Sequence, residues 1–495
     1  MADNFVSTSY FGYDIIMRLP NNPTIYEIHT AAYLNELAVR DKTNIYLDTI
    51  PDDELNRLMT LGIDAVWLMG VWQRSAAAVA VDMANEGLQA EFRAVLPDFT
   101  PEDVIGSAYA VQDYTVDARF GGDDALARLR ERLSHRGIGL ILDFVPNHTA
   151  PDHVWTREHV DYYIHSDSNA ALREPDAYAA VGDHSIAMGR DPNSAPWPDV
   201  LQMNAFSPGY RKATVDTLGR IASMSDGVRC DMAMLMLDDV VQRTWGQLAG
   251  EPLATTYWQD ATHAVREQHP DFTFIAECYW DTERTLIEQG FDYCYDKTLY
   301  DYLVANDPAG ACDYLARTAD IQSHMLHFVE NHDEPRAAAR LPLDQSMAAG
   351  AITATLPGAS LLHHGQVEGK QIKIPVQLGR GAHELPCSAT RDFYGKLYAW
   401  LKESNIRDGT WSPRATQDSA IITYELQHEH TVAMLLVNYS ETRTTIDLPI
   451  PIANYSDVLA DNDGAPIIVQ AAADKQLQLG PWQTRLLVYD QSAVS

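Results

Sequence analysis

The sequence predicts an α/β fold: a (β/α)8 TIM barrel with a small subdomain inserted after its third strand and an antiparallel β-domain at its C-terminal end. Three observations lead to it. Eight short apolar runs alternate with helical stretches, and most are continuous rather than alternating, as parallel strands buried on both faces should be. One gap between consecutive runs is far too long for a single βα unit. Beyond about residue 405 the texture changes to short segments rich in β-branched residues, separated by turn signals.

The eight runs lie at residues 24–28, 63–68, 137–145, 227–230, 272–276, 291–295, 325–329 and 359–362. Helical patterns fall between them, for example at 123–136, after Gly121-Gly122, and at 213–223. Strands and helices in that alternation read as a barrel. Asp143 and Asp231, near the ends of the third and fourth runs, stand 88 positions apart, where one βα unit needs roughly 30–40. The surplus is rich in turn formers and aromatics, among them Trp155, Tyr162, Tyr163, Trp197 and Pro198, and reads as a subdomain over the barrel rim. The second connection is also long and holds Ser107-Ala108-Tyr109 and Asp113-Tyr114. Near the C-terminus, strands are expected at 420–426, 431–439, 442–448 and 484–489, with Asp461-Asn462-Asp463-Gly464 as a turn. The expected division is 1–147 for the first part of the barrel, 148–205 for the insert, 206–404 for the rest of the barrel, and 405–495 for a C-terminal β-sandwich.

Composition narrows the function. A chain of 495 residues is too long for one ordinary core, so two or three domains are expected. The formal net charge of -33, from 36 basic and 69 acidic residues, argues against nucleic acid or an anionic membrane as partner. It fits either a solubility device or a salty milieu, where counter-ions screen self-repulsion. No apolar run reaches the roughly 20 residues of a membrane span, and the first residues show no secretion signal. The five cysteines are odd in number and widely spaced, which argues against a disulfide framework and makes a reducing cytoplasm the simplest compartment.

Four short segments carry chemistry: Asp143-Phe144-Val145-Pro146-Asn147-His148, Gly227-Val228-Arg229-Cys230-Asp231, Phe274-Ile275-Ala276-Glu277, and Phe328-Val329-Glu330-Asn331-His332-Asp333. Each contains an apolar run and ends in a polar residue, as strands do when they deliver groups to the C-terminal rim of a barrel. Three end in a carboxylate, and two carboxylates facing each other across a bond are the usual equipment for cleaving a glycosidic linkage. Arg229 and Asp231 are two apart on a strand, so both side chains leave on the same side.

These segments, in this order, resemble the α-amylase family, glycoside hydrolase family 13. Tyr109 before Asp113-Tyr114, and Gly365-Gln366 after the eighth strand, add to the resemblance. It implies Asp231 as nucleophile, Glu277 as general acid and then base, and Asp333 as a transition-state stabiliser that holds sugar hydroxyls. It implies that Arg229 keeps Asp231 ionised, that His148 and His332 donate hydrogen bonds to the sugar, and that Tyr109 stacks beneath it. Asp143 is expected to orient groups near the site. Trp155, Trp197 and Trp280 are as well suited to core packing as to lining a sugar site. His363-His364 has no metal spacing, and Asp117, Glu330 and Glu334 are orienting or solvated charges. The chemistry requires no cofactor. Calcium is the one metal the resemblance allows, through Asn147.

One departure bears on substrate. Where relatives that cut long α-glucans carry Lys-His after the nucleophile, this chain has Met234-Leu235. That weakens the case for calcium and for extended polymer binding on the leaving-group side. The expectation is therefore an α-glycosidase for short α-glucosides or α-glucan oligosaccharides. A transglycosylase, or a sucrose- or trehalose-type isomerising enzyme, would use the same residues. A non-catalytic binding or scaffold barrel would be expected to have lost Asp231 or Glu277. The partner is a small carbohydrate, and oligomeric state is not readable.

Overall fold

The computed structural model describes residues 17–416, 418–448, 455–460, 467–469 and 476–491. Eight parallel strands close into a barrel: β1 (Thr24–His29), β2 (Ala65–Met69), β3 (Gly139–Phe144), β4 (Gly227–Cys230), β5 (Thr273–Ala276), β6 (Tyr293–Tyr295), β7 (Met325–His327) and β8 (Ala359–His363). Each pairs with the next in sequence, and β8 returns to β1. All eight expected strands are present. Several ends draw in by a residue or two for local reasons. Gly137, expected in β3, instead closes the preceding helix with φ +72°, its N–H donating to Ser134 O.

Continuous apolar runs are what the barrel requires. Ile25, Ile141, Ile275, Leu326 and Leu361 fill its interior, while Tyr26, Leu140, Leu142, Val228, Phe274 and Leu362 face the helices outside. Between β3 and β4 rises the insert, an antiparallel sheet of five short strands: His148–Thr149, His165–Ser166, Tyr178–Val181, His184–Gly189 and Trp197–Gln202. Its first and last strands pair with each other, so it both leaves and rejoins the barrel beside the rim. A second excursion, between β2 and β3, carries the helices Ala76–Ala84 and Glu86–Val95 and the strand pair Trp72–Arg74 with Val111–Val116.

The C-terminal region is an antiparallel six-stranded sheet whose long strands are Ile421–His428, Thr431–Asn438 and Thr484–Asp490. The strand expected at 442–448 does not join it; Thr444–Asp447 forms a separate ribbon with Gln476–Leu479. The turn expected at 461–464 lies outside the described residues. Buried tyrosines dock this sheet on the barrel's helices: Tyr424 donates to Ile352 O at 2.9 Å and Tyr439 to Leu303 O at 2.9 Å. Among the described residues all five cysteines are free, and no helix is long and apolar enough to cross a membrane.

Candidate active site

The polar strand ends meet at the C-terminal rim, around Arg229. In register, Arg229 on β4 lies opposite Asp143 on β3. Its guanidinium is fully buried and reaches four carboxylates: Asp231 at 2.8 Å, Glu277 at 2.7 Å, Asp143 at 3.6 Å and Asp333 at 4.0 Å. Trp67, Tyr109 and Tyr295 also surround it, with ring centroids 5.1–5.6 Å from the guanidinium carbon. Burial opposes the charge on Arg229, yet Glu277 and the other acceptors hold its pKa well above the ordinary arginine value.

Asp231 and Glu277 stand at the ends of neighbouring strands. The backbone ladder continues past the strand ends, Asp231 N–H donating to Phe144 O and Glu277 N–H to Cys230 O. Met232 follows in the left-handed region, φ +44°, uncommon for a side-chain-bearing residue. That turn aims its N–H at Glu277 Oε2, 2.7 Å away. Tyr279 donates its hydroxyl to Glu277 Oε1 at 2.6 Å. Glu277 thus accepts from three donors, including Arg229, whereas among the described residues Asp231 accepts from the side chain of Arg229 alone. Arg229, expected to keep Asp231 ionised, does favour its charged form, but larger effects oppose it. Burial, and then the charge of Glu277, push the Asp231 carboxyl well above the usual range, because one guanidinium is shared among several acids.

Asp143 lies below. Trp67 Nε1–H and Gly70 N–H each donate to it at 3.2 Å. Gly70 must be glycine: its φ is +73°, and a Cβ would meet Arg74 at 2.7 Å and Ala108 at 2.8 Å. Burial raises Asp143 to about 6 against the pull of Arg229. Asp333 is 44% exposed at its side chain and pairs with His332 Nε2 at 2.9 Å. Burial opposes its charge, but His332 holds it well below the usual range. Tyr109 stacks on His332, with centroids 5.2 Å apart, and its hydroxyl lies 2.7 Å from Nε2.

His148 borders the cavity, edge-on to Trp197. Its Nδ1 meets Asn147 Nδ2 at 3.3 Å and its ring bonds the Tyr109 backbone, so protein partners already engage it. Burial lowers its pKa to about 4. Asn147, the expected calcium ligand, has its Oδ1 accepting from Gln202 Nε2 at 2.8 Å. Among the described residues no group of three acidic, histidine or cysteine side chains could hold a metal.

The cavity above these groups has a volume of about 430 Å³, within the range of small-ligand sites. Its walls include residues not singled out from sequence: Met232, Tyr279, Ser107, Asp199, Val200 and Val376. Of the tryptophans, Trp197 lines it; Trp155 packs within the insert against Tyr162 and Tyr210; and Trp280 sits 41% exposed. Met234 and Leu235, expected on the leaving-group side, are 0% and 4% exposed and belong to the core. The chain's sharp turn at Met232 carries them inward. His363 takes a hydrogen bond from Arg336, which also pairs with Glu330 at 2.6 Å, and Asp117 caps a short helix.

The Alpha amylase catalytic-domain family matches residues 51–404 of the chain. Alpha-amylase MalA of Haloarcula japonica is 23% identical over 444 residues, covering 86% of this chain and 56% of that protein. Alpha-amylase 3 of Dictyoglomus thermophilum is 21% identical over 433 residues, covering 76% of this chain and 81% of that protein. Among solved structures, an alpha-amylase from Lactobacillus plantarum superposes with a TM-score of 0.70 at 19% identity, covering 95% of this chain and 99% of that one.

Proposed function

The chain belongs to the α-amylase family of glycoside hydrolases, and from that premise we propose that it is a retaining α-glycosidase for short α-glucosides or α-glucan oligosaccharides. The observation that carries this reading is the grip of one guanidinium on both Asp231 and Glu277. Such a grip favours the close spacing of a retaining pair, roughly 5–5.5 Å, over the wider gap that an inverting enzyme leaves for water.

In this reading Asp231 attacks the anomeric carbon as Glu277 gives its proton to the departing glycosidic oxygen. One C–O bond forms to Asp231 as the other breaks. Water then attacks the same carbon, Glu277 takes its proton, and Asp231 is released. Glu277 is held for that role by three hydrogen bonds, from Arg229, the Met232 N–H and the Tyr279 hydroxyl. Asp333, ionised beside His332, supports the positive charge that gathers on the ring. No step of this reading calls on calcium.

Glu277→Ala should cut turnover by about 100-fold or more, and added azide should restore part of it as an α-glycosyl azide. That product requires attack on an intact glycosyl-enzyme at Asp231. A β-azide instead would mean that the two roles are reversed. Transfer to a sugar hydroxyl would use the same intermediate, and products from a panel of α-linked disaccharides, with and without added acceptor, separate transfer from hydrolysis.

A further inference from the structure

Asp231, Glu277, Asp333 and Asp143 account for the carboxylates around Arg229, but a fifth lies inside the barrel. Glu27 stands in the middle of β1, in the run Thr24-Ile25-Tyr26-Glu27-Ile28-His29, and is 0% exposed. A charge there is costly unless it is paired. Asp143, equally buried, is tied by Trp67 and Gly70. Among the described residues, Glu27 has a single side-chain partner: its Oε1 lies 2.5 Å from His332 Nδ1, while Oε2 is buried with no hydrogen bond. The other ring nitrogen of His332, Nε2, faces Asp333 Oδ2 at 2.9 Å and the Tyr109 hydroxyl at 2.7 Å.

We propose that Glu27 is a positioning residue for this site: through Nδ1 it holds the His332 ring doubly protonated, so that Nε2–H stays a donor towards Asp333 and the sugar hydroxyl bound there. The proposal rests on the glycosidase reading of the site. The geometry explains why the proton matters. A neutral His332 bonded to Glu27 would carry its proton on Nδ1; its bare Nε2 could then accept from the Tyr109 hydroxyl, but it would still lie 2.9 Å from an ionised Asp333, two acceptors in contact. The imidazolium removes that conflict and places a positive charge between two carboxylates.

The groups facing His332 come from every side. They are Glu27 on β1 and His29 at its end, Trp67 edge-on from β2, Tyr109 stacked on it, Asp143 on β3, Asp333 beside it, and His363 at the end of β8 near Glu27. Arg229 and Lys373 act at one remove, through Asp333. Burial alone would lower the ring's pKa; Asp333 and Glu27 overcome it and raise it to about 10.

Glu27→Gln keeps the shape, and its amide oxygen can still accept from Nδ1–H, so a structural role would survive the change. Loss of the charge should bring the His332 midpoint down by at least about one pH unit, and with it the alkaline limb of the pH–rate profile. Below the new midpoint kcat should stay within several-fold of the parent. The ring-nitrogen NMR signals of His332, assigned with His332→Gln, read the midpoint without turnover, so the result stands even if the glycosidase reading fails. An unchanged His332 midpoint in Glu27→Gln overturns the proposal. Should that variant fail to fold, Glu27→Asp keeps the charge at longer reach and should lower the midpoint; no shift there overturns it equally.

Discussion

Arg229 is the residue on which the site turns, and its environment illustrates how a local reading is revised. Two positions from Asp231, it has the look of a private counter-ion, yet its fork divides between Asp231 and Glu277, with Asp143 and Asp333 at its margins. Met234 is the converse case. It occupies a position where polymer-cutting relatives carry a polar side chain, but it is 0% exposed. Met234→Lys is therefore expected to leave chain-length preference alone and to destabilise the fold by at least about 3 kcal/mol, by placing an unpaired ammonium in the core. Denaturant melts together with rates on a maltooligosaccharide series check this. A stable variant with a new preference for long chains would return Met234 to the substrate side. Met232 and Trp197, by contrast, do line the cavity.

Among the elements, the insert decides how the cavity is walled, and its attachment is local. Gln202, at the end of its last strand, donates to Asn147 Oδ1 at 2.8 Å and to Met203 O at 3.1 Å, while Met203 N–H donates to Asn147 O at 2.9 Å. A chelator should leave the thermal midpoint unchanged. Gln202→Ala should lower stability by about 1–3 kcal/mol, since it strands the buried Asn147 oxygen. A fall in midpoint under chelator, reversed by calcium, would show that the amide pair does not carry the insert alone. The insert was legible as surplus length and aromatic content. Its five-stranded pairing was not, because strands of two to six residues carry too little periodicity to register.

At the scale of the whole molecule the acidic excess dominates the electrostatics. A formal charge of -33 on one chain repels itself at low ionic strength, and screening shortens the reach of that repulsion to about 3 Å at molar salt. The thermal midpoint should rise from near-zero to molar sodium chloride, as the relief outweighs the weakening of surface pairs such as Arg284–Asp320 and Arg173–Asp167. A flat or falling midpoint in a calorimetric series would leave solubility as the sole use of the charge.

The sequence by itself determined the barrel, its eight strands, the insert and the residues at the strand ends, because each is written in a contiguous stretch: an apolar run, a polar terminus, a surplus of length. The glutamate within the apolar run of β1 was not singled out from sequence. Tertiary structure alone decided that Glu27 meets His332, 305 positions away, that one guanidinium serves several carboxylates, and that Met234 turns inward while Trp197 and Val376 close the cavity. The physical reason is range. Hydrogen-bonded secondary structure and side-chain periodicity depend on neighbours a few residues apart, whereas protonation states and cavity walls depend on fields and surfaces summed over segments that only the closed barrel brings together.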